Sequence, residues 1–153
     1  MLYSNKGNPL MPDIKDVDAM ASFEEAASIE VSYFSSTAWK YGANILIMPM
    51  IGVPSADDKA LQDMWNELSV ALKAMDGILS NRKYLAGPDF TLVDMWTMPW
   101  VSQLIHMKRA DETFVGSPHL RDWWERVTLR PAWQEACKLM DNAMEEIRQN
   151  AAK

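Results

Sequence analysis

The residues from Leu92 to Met107 leave a helix almost no polar side. Leu92, Met95, Trp96, Pro99, Trp100, Leu104 and Met107 fall on one face, and Met98, Val101 and Ile105 on the other. A helix apolar nearly all round belongs in the middle of a bundle, because neighbours must cover every face. Pro99 should bend it, since its ring clashes with the preceding turn and one amide bond is lost. The rest of the chain supplies the neighbours. From Asp16 to Met48, Met20, Phe23, Ala27, Val31, Phe34, Ala38, Tyr41 and Ile45 recur at steps of three and four, with Ala26, Ile29, Tyr33 and Thr37 as a second, smaller face. Pro49, Gly52 and Pro54 end that helix.

A second helix starts at Asp57 and Asp58, acidic residues that suit a positive helix end. Its stripe is Leu61, Met64, Trp65, Leu68, Leu72, Met75 and Leu79. A short fourth helix opens at Pro118 and turns Leu120, Trp123, Trp124 and Val127 inward. Pro131 opens a fifth, with Trp133, Ala136, Cys137, Met140, Met144 and Ile147 inward. No stretch alternates as a strand would. The expected fold is all-α, a bundle of about five helices. The boundaries are a linker over 1–15, a helical domain over 16–148 and a frayed tail over 149–153.

The chain has 153 residues, 48% of them hydrophobic, which suffices for one packed domain. Its net charge of −6 argues against nucleic acid and against anionic membrane surfaces as partners. No run of about 18 apolar residues exists to span a membrane. The start, MLYSNKGNPL, lacks the apolar core of a secretion signal. One cysteine excludes an internal disulfide and suits a reducing compartment, so the expected location is cytoplasmic. With two histidines beside it, there is little material for a metal site, and none is expected.

Phe90-Thr91-Leu92-Val93-Asp94 is the strongest local pattern. Thr91 is placed as the N-cap, Asp94 three residues on completes a capping box, and Phe90 with Met95 forms a hydrophobic staple. Capping explains Asp94 better than acid–base catalysis. Cys137 lies on an apolar stripe and reads as a buried, inert thiol. His106 and His119 have no nucleophile at a diagnostic spacing. Seven Trp and twelve Met are more than a core commonly needs. Of Phe34, Trp39, Tyr41, Trp96 and Trp100, some are expected to line an apolar pocket. Arg121, Arg126 and Arg130 read as a solvated face over the Trp core.

Lys83-Tyr84-Leu85-Ala86-Gly87-Pro88-Asp89 runs straight into the capping box, Pro99 follows in the next helix, and Pro118-His119-Leu120 precedes Trp123-Trp124-Glu125-Arg126-Val127. Arg130-Pro131-Ala132-Trp133 closes the series, and Met48-Pro49-Met50-Ile51-Gly52-Val53-Pro54 lies upstream. Taken in order over about residues 8–140, these segments resemble the C-terminal, all-helical domain of the glutathione transferase superfamily. The upstream segment is similar to the phi-class and fungal prion-regulator-like branches. Ser4 to Pro12 resembles the linker that joins this domain to a thioredoxin-like N-terminal domain, which this chain does not contain.

The resemblance implies the electrophile-binding half of an enzyme that conjugates glutathione to a small apolar metabolite, or isomerises it through a glutathione adduct. Fungal biosynthetic pathways for small metabolites employ members of the second kind. Glutathione would enter as co-substrate, held mainly by the N-terminal domain. That domain also supplies the thiol-activating residue, so no catalytic residue is assigned here. The resemblance further implies that Phe34, Thr37, Ala38, Tyr41 and Trp100 wall the substrate pocket with Gln103 as polar contact, and that a homodimer forms through residues 16–80. Two other readings stay open: a non-catalytic module for protein interaction, and a carrier of apolar ligands.

Overall fold

The computed structural model describes residues 10–151, the side chains of 108–111, 147, 148, 150 and 151 excepted. Five continuous helical runs occupy it: a first helix over 17–50, a second over Asp58–Leu79, a central one over 92–114, a fourth over Pro118–Thr128 and a last over Pro131–Ala151. Residues 1–9 of the expected linker and the last two of the expected tail lie outside the described residues. Residues 149–151 belong to the last helix.

The first helix alternates two geometries. α-Helical stretches over Val17–Ile29 and Ser36–Gly42 flank a π-helical turn over Glu30–Ser35, and a second π turn over Ala43–Ile47 leads into Met48–Met50. A turn closed five residues on is wider than an α turn, so steps of four stay on one face. Ala26, Glu30, Phe34 and Ala38 are accordingly the buried positions. Val31, expected inward, is 59% exposed, and Glu30 takes the place expected of it.

Pro49 does not stop this helix but sits within its last turn. The stop is Gly52, at φ +75°. Its N–H donates to Pro49 O at 3.1 Å, and the Val53 N–H donates to Met48 O at 2.9 Å. This is a Schellman motif, and its left-handed position suits glycine.

The second helix begins where its acidic start places it, with the Asp57 carboxylate accepting from Ala60 N at 2.8 Å. Its stripe of Trp65, Leu68, Leu72, Met75 and Leu79 is buried. The core lies where this stripe meets Phe23, Phe34 and Tyr41 of the first helix, Val93, Met98, Val101 and Leu104 of the central helix, and Leu120, Trp123 and Val127 of the fourth. The fourth helix is anchored from outside its own sequence. Its Leu120 N–H donates to Asp76 Oδ1 of the second helix at 2.8 Å, satisfying one of the four amides a helix start leaves free.

The central helix runs on past Met107, through a π turn over Ile105–Arg109, to Phe114. It is not covered all round. Met95, Trp96 and Pro99 are exposed, because no neighbour among the described residues closes that side. The last helix departs further from expectation. Trp133 and Cys137 are half-buried, but Ala136, Met140 and Met144 are exposed. After its first turns, which pack on the fourth helix through a Trp124–Trp133 ring contact at 6.0 Å, it runs beyond the bundle. No helix among the described residues is long and apolar enough to cross a membrane.

Candidate functional site

The capping box is the most enclosed polar feature of the molecule. Asp94 is fully buried, and its carboxylate accepts from Thr91 N at 2.9 Å, Thr91 Oγ1 at 3.2 Å, Leu85 N at 3.0 Å and Trp123 Nε1 at 2.8 Å. The reciprocal arm, from the Asp94 backbone to Thr91, is also made. The first amide of the helix, Leu92 N–H, donates to Leu10 O at 2.9 Å. Burial pushes the Asp94 carboxyl above its ordinary range, and its four donors pull it partly back. With all its acceptor positions taken and no opening to solvent, Asp94 holds the loop, the helix start and the fourth helix together.

A second buried carboxyl was not singled out by the sequence pattern. Glu30 sits on the core side of the first helix, and the Ser35 hydroxyl donates to its Oε1. Burial raises its pKa, and the Ser35 bond opposes that rise. Among the described residues, no group of three or more His, Cys, Asp or Glu side chains is arranged to hold a metal ion.

The feature suited to a ligand is a groove between the first and central helices, with a volume of about 260 Å³. Gly42 and Ala43, both buried, form its floor. A Cβ on Gly42 would lie 3.4 Å from Met107 Cε and 3.8 Å from Trp100 Cζ3, so a methyl there would meet both side chains at ordinary contact distance. Trp39 and Trp100 form the walls, their rings edge to face at 6.0 Å and 79°. Leu46 and Met107 close the end, and both belong to π turns. Such turns recur at functional sites. Gln103 is the amide side chain in this otherwise hydrophobic lining, and it has no hydrogen-bond partner among the described residues.

The expected pocket residues divide. Trp100 and Gln103 line the groove. Phe34, Ala38 and Tyr41 do not: each is at most 2% exposed, inside the core. They belong to the stripe that periodicity assigns to the core, and one helix face cannot serve both purposes. Thr37 is half-buried, and its hydroxyl donates to Tyr33 O and Phe34 O of its own helix. The residues that replace them are Trp39, Gly42, Ala43 and Leu46. These repeat at helical spacing on another face, which is the signal that could have located the groove.

A wider cleft of about 540 Å³ lies between the 11–22 segment and the 82–91 loop. It is acidic, with Asp13, Asp16, Asp18 and Asp89 beside Arg82. Cys137 is half-buried rather than buried. His106 and His119 are exposed, and the His106 ring engages Ser102 O at 2.7 Å. The arginines lie over other rings than the tryptophans: Arg130 over Phe90 at 3.7 Å, Arg126 over Tyr84 at 5.7 Å and Arg121 over Phe114 at 5.2 Å.

With this geometry in place, similarity to known proteins is specific. The family described as "Glutathione S-transferase, C-terminal domain" matches residues 39–131. A glutathione S-transferase of Hyoscyamus muticus is 32% identical over 134 residues, covering 88% of this chain and 61% of that protein. Glutathione S-transferase hmp2 of Hypomyces subiculosus is 30% identical over 132 residues, covering 86% and 62%. The structure of glutathione S-transferase I from mais in complex with an atrazine glutathione conjugate superposes with a TM-score of 0.79, over 89% of this chain and 63% of that one. At 24% identity that likeness speaks for the fold alone. The chain thus spans about 61% of the length of the relatives it matches.

Proposed function

The chain belongs to the glutathione S-transferase C-terminal domain family, and from that footing we propose that it forms the electrophile-binding wall of a glutathione-dependent transferase or isomerase. The observation that carries this reading is the Trp39–Trp100 groove, whose Gln103 amide has no hydrogen-bond partner among the described residues. Such a groove suits a small apolar molecule. It does not suit glutathione, whose two carboxylates and ammonium would find one amide to pair with. Glutathione is therefore the co-substrate held elsewhere, mainly by the thioredoxin-like domain that the family resemblance implies, which also activates the thiol.

The thiolate is the attacking species. Its sulfur forms a bond to the electrophilic carbon, and the displaced electron pair leaves with a leaving group or moves into a conjugated system. Reversal after a bond rotation gives isomerisation instead of conjugation. The groove's contribution is orientation, which supplies much of the rate in such reactions. We place the protein in the cytoplasm, as a homodimer through residues 16–80. Exposed Val31, Tyr33 and Val70 on those two helices support the pairing.

The test is turnover by the full-length native product with saturating glutathione and a panel of apolar electrophiles. Trp100→Ala should raise the KM for the electrophile and leave that for glutathione unchanged. No turnover with any electrophile, or a shift in the glutathione KM alone, overturns the reading. A protein-interaction module is the second reading, favoured by the exposed Leu139, Met140 and Met144 of the last helix. Recovery of a stoichiometric partner together with absent turnover would select it.

A further inference from the structure

We infer that a separate, smaller cleft beside the second helix binds a compact aliphatic monocarboxylate. The cleft has a volume of about 220 Å³ and lies between the second helix and the turn that joins the central helix to the fourth. It shares no lining residue with the Trp39–Trp100 groove. Trp65, Ser69, Leu72 and Lys73 line it from one face of the second helix, at steps of four, three and one. Glu112 and Ser117 line it from the turn.

The observation that carries the inference is Ser117. It is the N-cap residue of the fourth helix and is only 1% exposed, yet its side chain makes no cap bond. A serine at that position ordinarily accepts from the second or third amide of its helix. Here the third amide, Leu120 N–H, is taken by Asp76 Oδ1 at 2.8 Å. Asp76 thereby frees the Ser117 hydroxyl, which has no hydrogen-bond partner among the described residues. Among those residues, no side-chain nitrogen or oxygen that is sealed from solvent lacks a partner. The Ser117 hydroxyl is therefore not sealed, and the opening it reaches is the cleft that the residue lines.

Lys73 supplies the charge. It is exposed, and its ammonium pairs with no carboxylate among the described residues. The Ser69 hydroxyl is already spent on Trp65 O, at 2.8 Å. The two groups left over both donate hydrogen. Their complement is an anion with two acceptor oxygens side by side, and a carboxylate is the smallest such group.

The walls select the rest of the guest. Trp65 and Leu72 are buried and make the floor apolar. The Trp65 ring is 5% exposed and already engaged with Tyr41, centroid to centroid at 5.4 Å. It offers a guest an edge of carbon and no open face for stacking, which favours a branched aliphatic group over an aromatic ring. The volume lies below the usual range for drug-sized ligands, so the guest is small. Glu112 sets the charge: a second carboxylate on the guest would meet another negative group at the same cleft.

The experiment titrates the 153-residue chain with isovalerate, isovaleramide (the same shape, uncharged), methylsuccinate (a second carboxylate) and benzoate (an aromatic ring). Binding is followed by the backbone amide resonances of Lys73 and Ser117 and by the indole N–H of Trp65. Isovalerate should move all three and bind about tenfold more tightly than isovaleramide, the scale of one hydrogen bond to a charged group. Methylsuccinate and benzoate should bind more weakly than isovalerate. Lys73→Met should erase the preference for isovalerate over isovaleramide. Ser117→Ala should weaken isovalerate roughly fivefold, as loss of one neutral hydrogen bond does, and leave the thermal midpoint unchanged, because the hydroxyl caps nothing. A lowered midpoint with isovalerate binding intact would make Ser117 a helix cap only and overturn the inference. Isovaleramide bound as tightly as isovalerate, tighter binding of benzoate or methylsuccinate, or unmoved Lys73 and Ser117 resonances would each overturn it as well.

Discussion

Trp123 donates its ring N–H to Asp94 across 2.8 Å, and both residues are fully buried. One carboxylate oxygen is thereby shared between the fourth helix and the 82–91 loop, while the other caps the central helix. Asp94→Ala leaves the amides of Leu85 and Thr91 and the Trp123 ring N–H in the interior without an acceptor. Each orphaned buried donor costs about 1–3 kcal/mol, so the three together should cost roughly 3–9 kcal/mol in urea unfolding. Thr91→Ala removes one arm of the box and should cost only about 0.5–2 kcal/mol. Equal losses for the two variants would contradict this division of labour.

Glu30 gives the molecule a pH dependence of defined sign. Its folded-state pKa is raised above the ordinary 4.5, chiefly by burial. The folded protein therefore holds the proton more tightly than the unfolded chain. The stability this group contributes is complete below pH 4.5 and is lost as pH rises through the folded-state pKa. Glu30→Gln cannot titrate, so wild type should lose stability relative to it over that interval and run parallel above it. Thermal melts of both proteins across the acid range check this, and a difference constant with pH refutes it.

Two glycines should respond oppositely to alanine. Gly42 is helical, and its added Cβ would meet Met107 Cε at an ordinary 3.4 Å. Gly42→Ala should stabilise by up to about 1 kcal/mol, the difference in helix propensity. Gly52 has φ +75° and open space around it. Gly52→Ala should cost roughly 1 kcal/mol through the left-handed backbone alone. Differential scanning calorimetry should move the two melting temperatures in opposite directions.

Asp76 belongs to the second helix but caps the fourth. Asp76→Ala should cost about 1–2 kcal/mol, as loss of a cap does. Hydrogen exchange should speed up first at Leu120. If that amide stays as protected as in wild type, the cross-helix cap is not what holds it.

The helices were legible because their ends are written in local chemistry: Asp57, Thr91, Pro118 and Pro131 each stand at a start. The capping box was legible for the same reason. The groove was half legible. Trp100 and Gln103 line it as the family resemblance implies, whereas Phe34, Ala38 and Tyr41 lie in the core, where their own periodicity assigns them. The π turns were not legible, since widening a turn depends on packing rather than on any residue type, and they exchanged Val31 for Glu30 at the buried position. Asp76 carried no signal either, because its partner lies 44 residues away.

The last helix runs for 21 residues, and from Lys138 to Glu146 every side chain is exposed. An isolated helix shorter than roughly 12–15 residues is only marginally stable in water. The far half of this one therefore draws on its own propensity and on local pairs such as Gln149 with Glu145. On heating, its amides should open in a gradient from its C-terminal end, ahead of and separately from the bundle. The protein then has two unfolding events where a compact domain of this size has one: a gradual unwinding of the projecting helix and an all-or-none loss of the core.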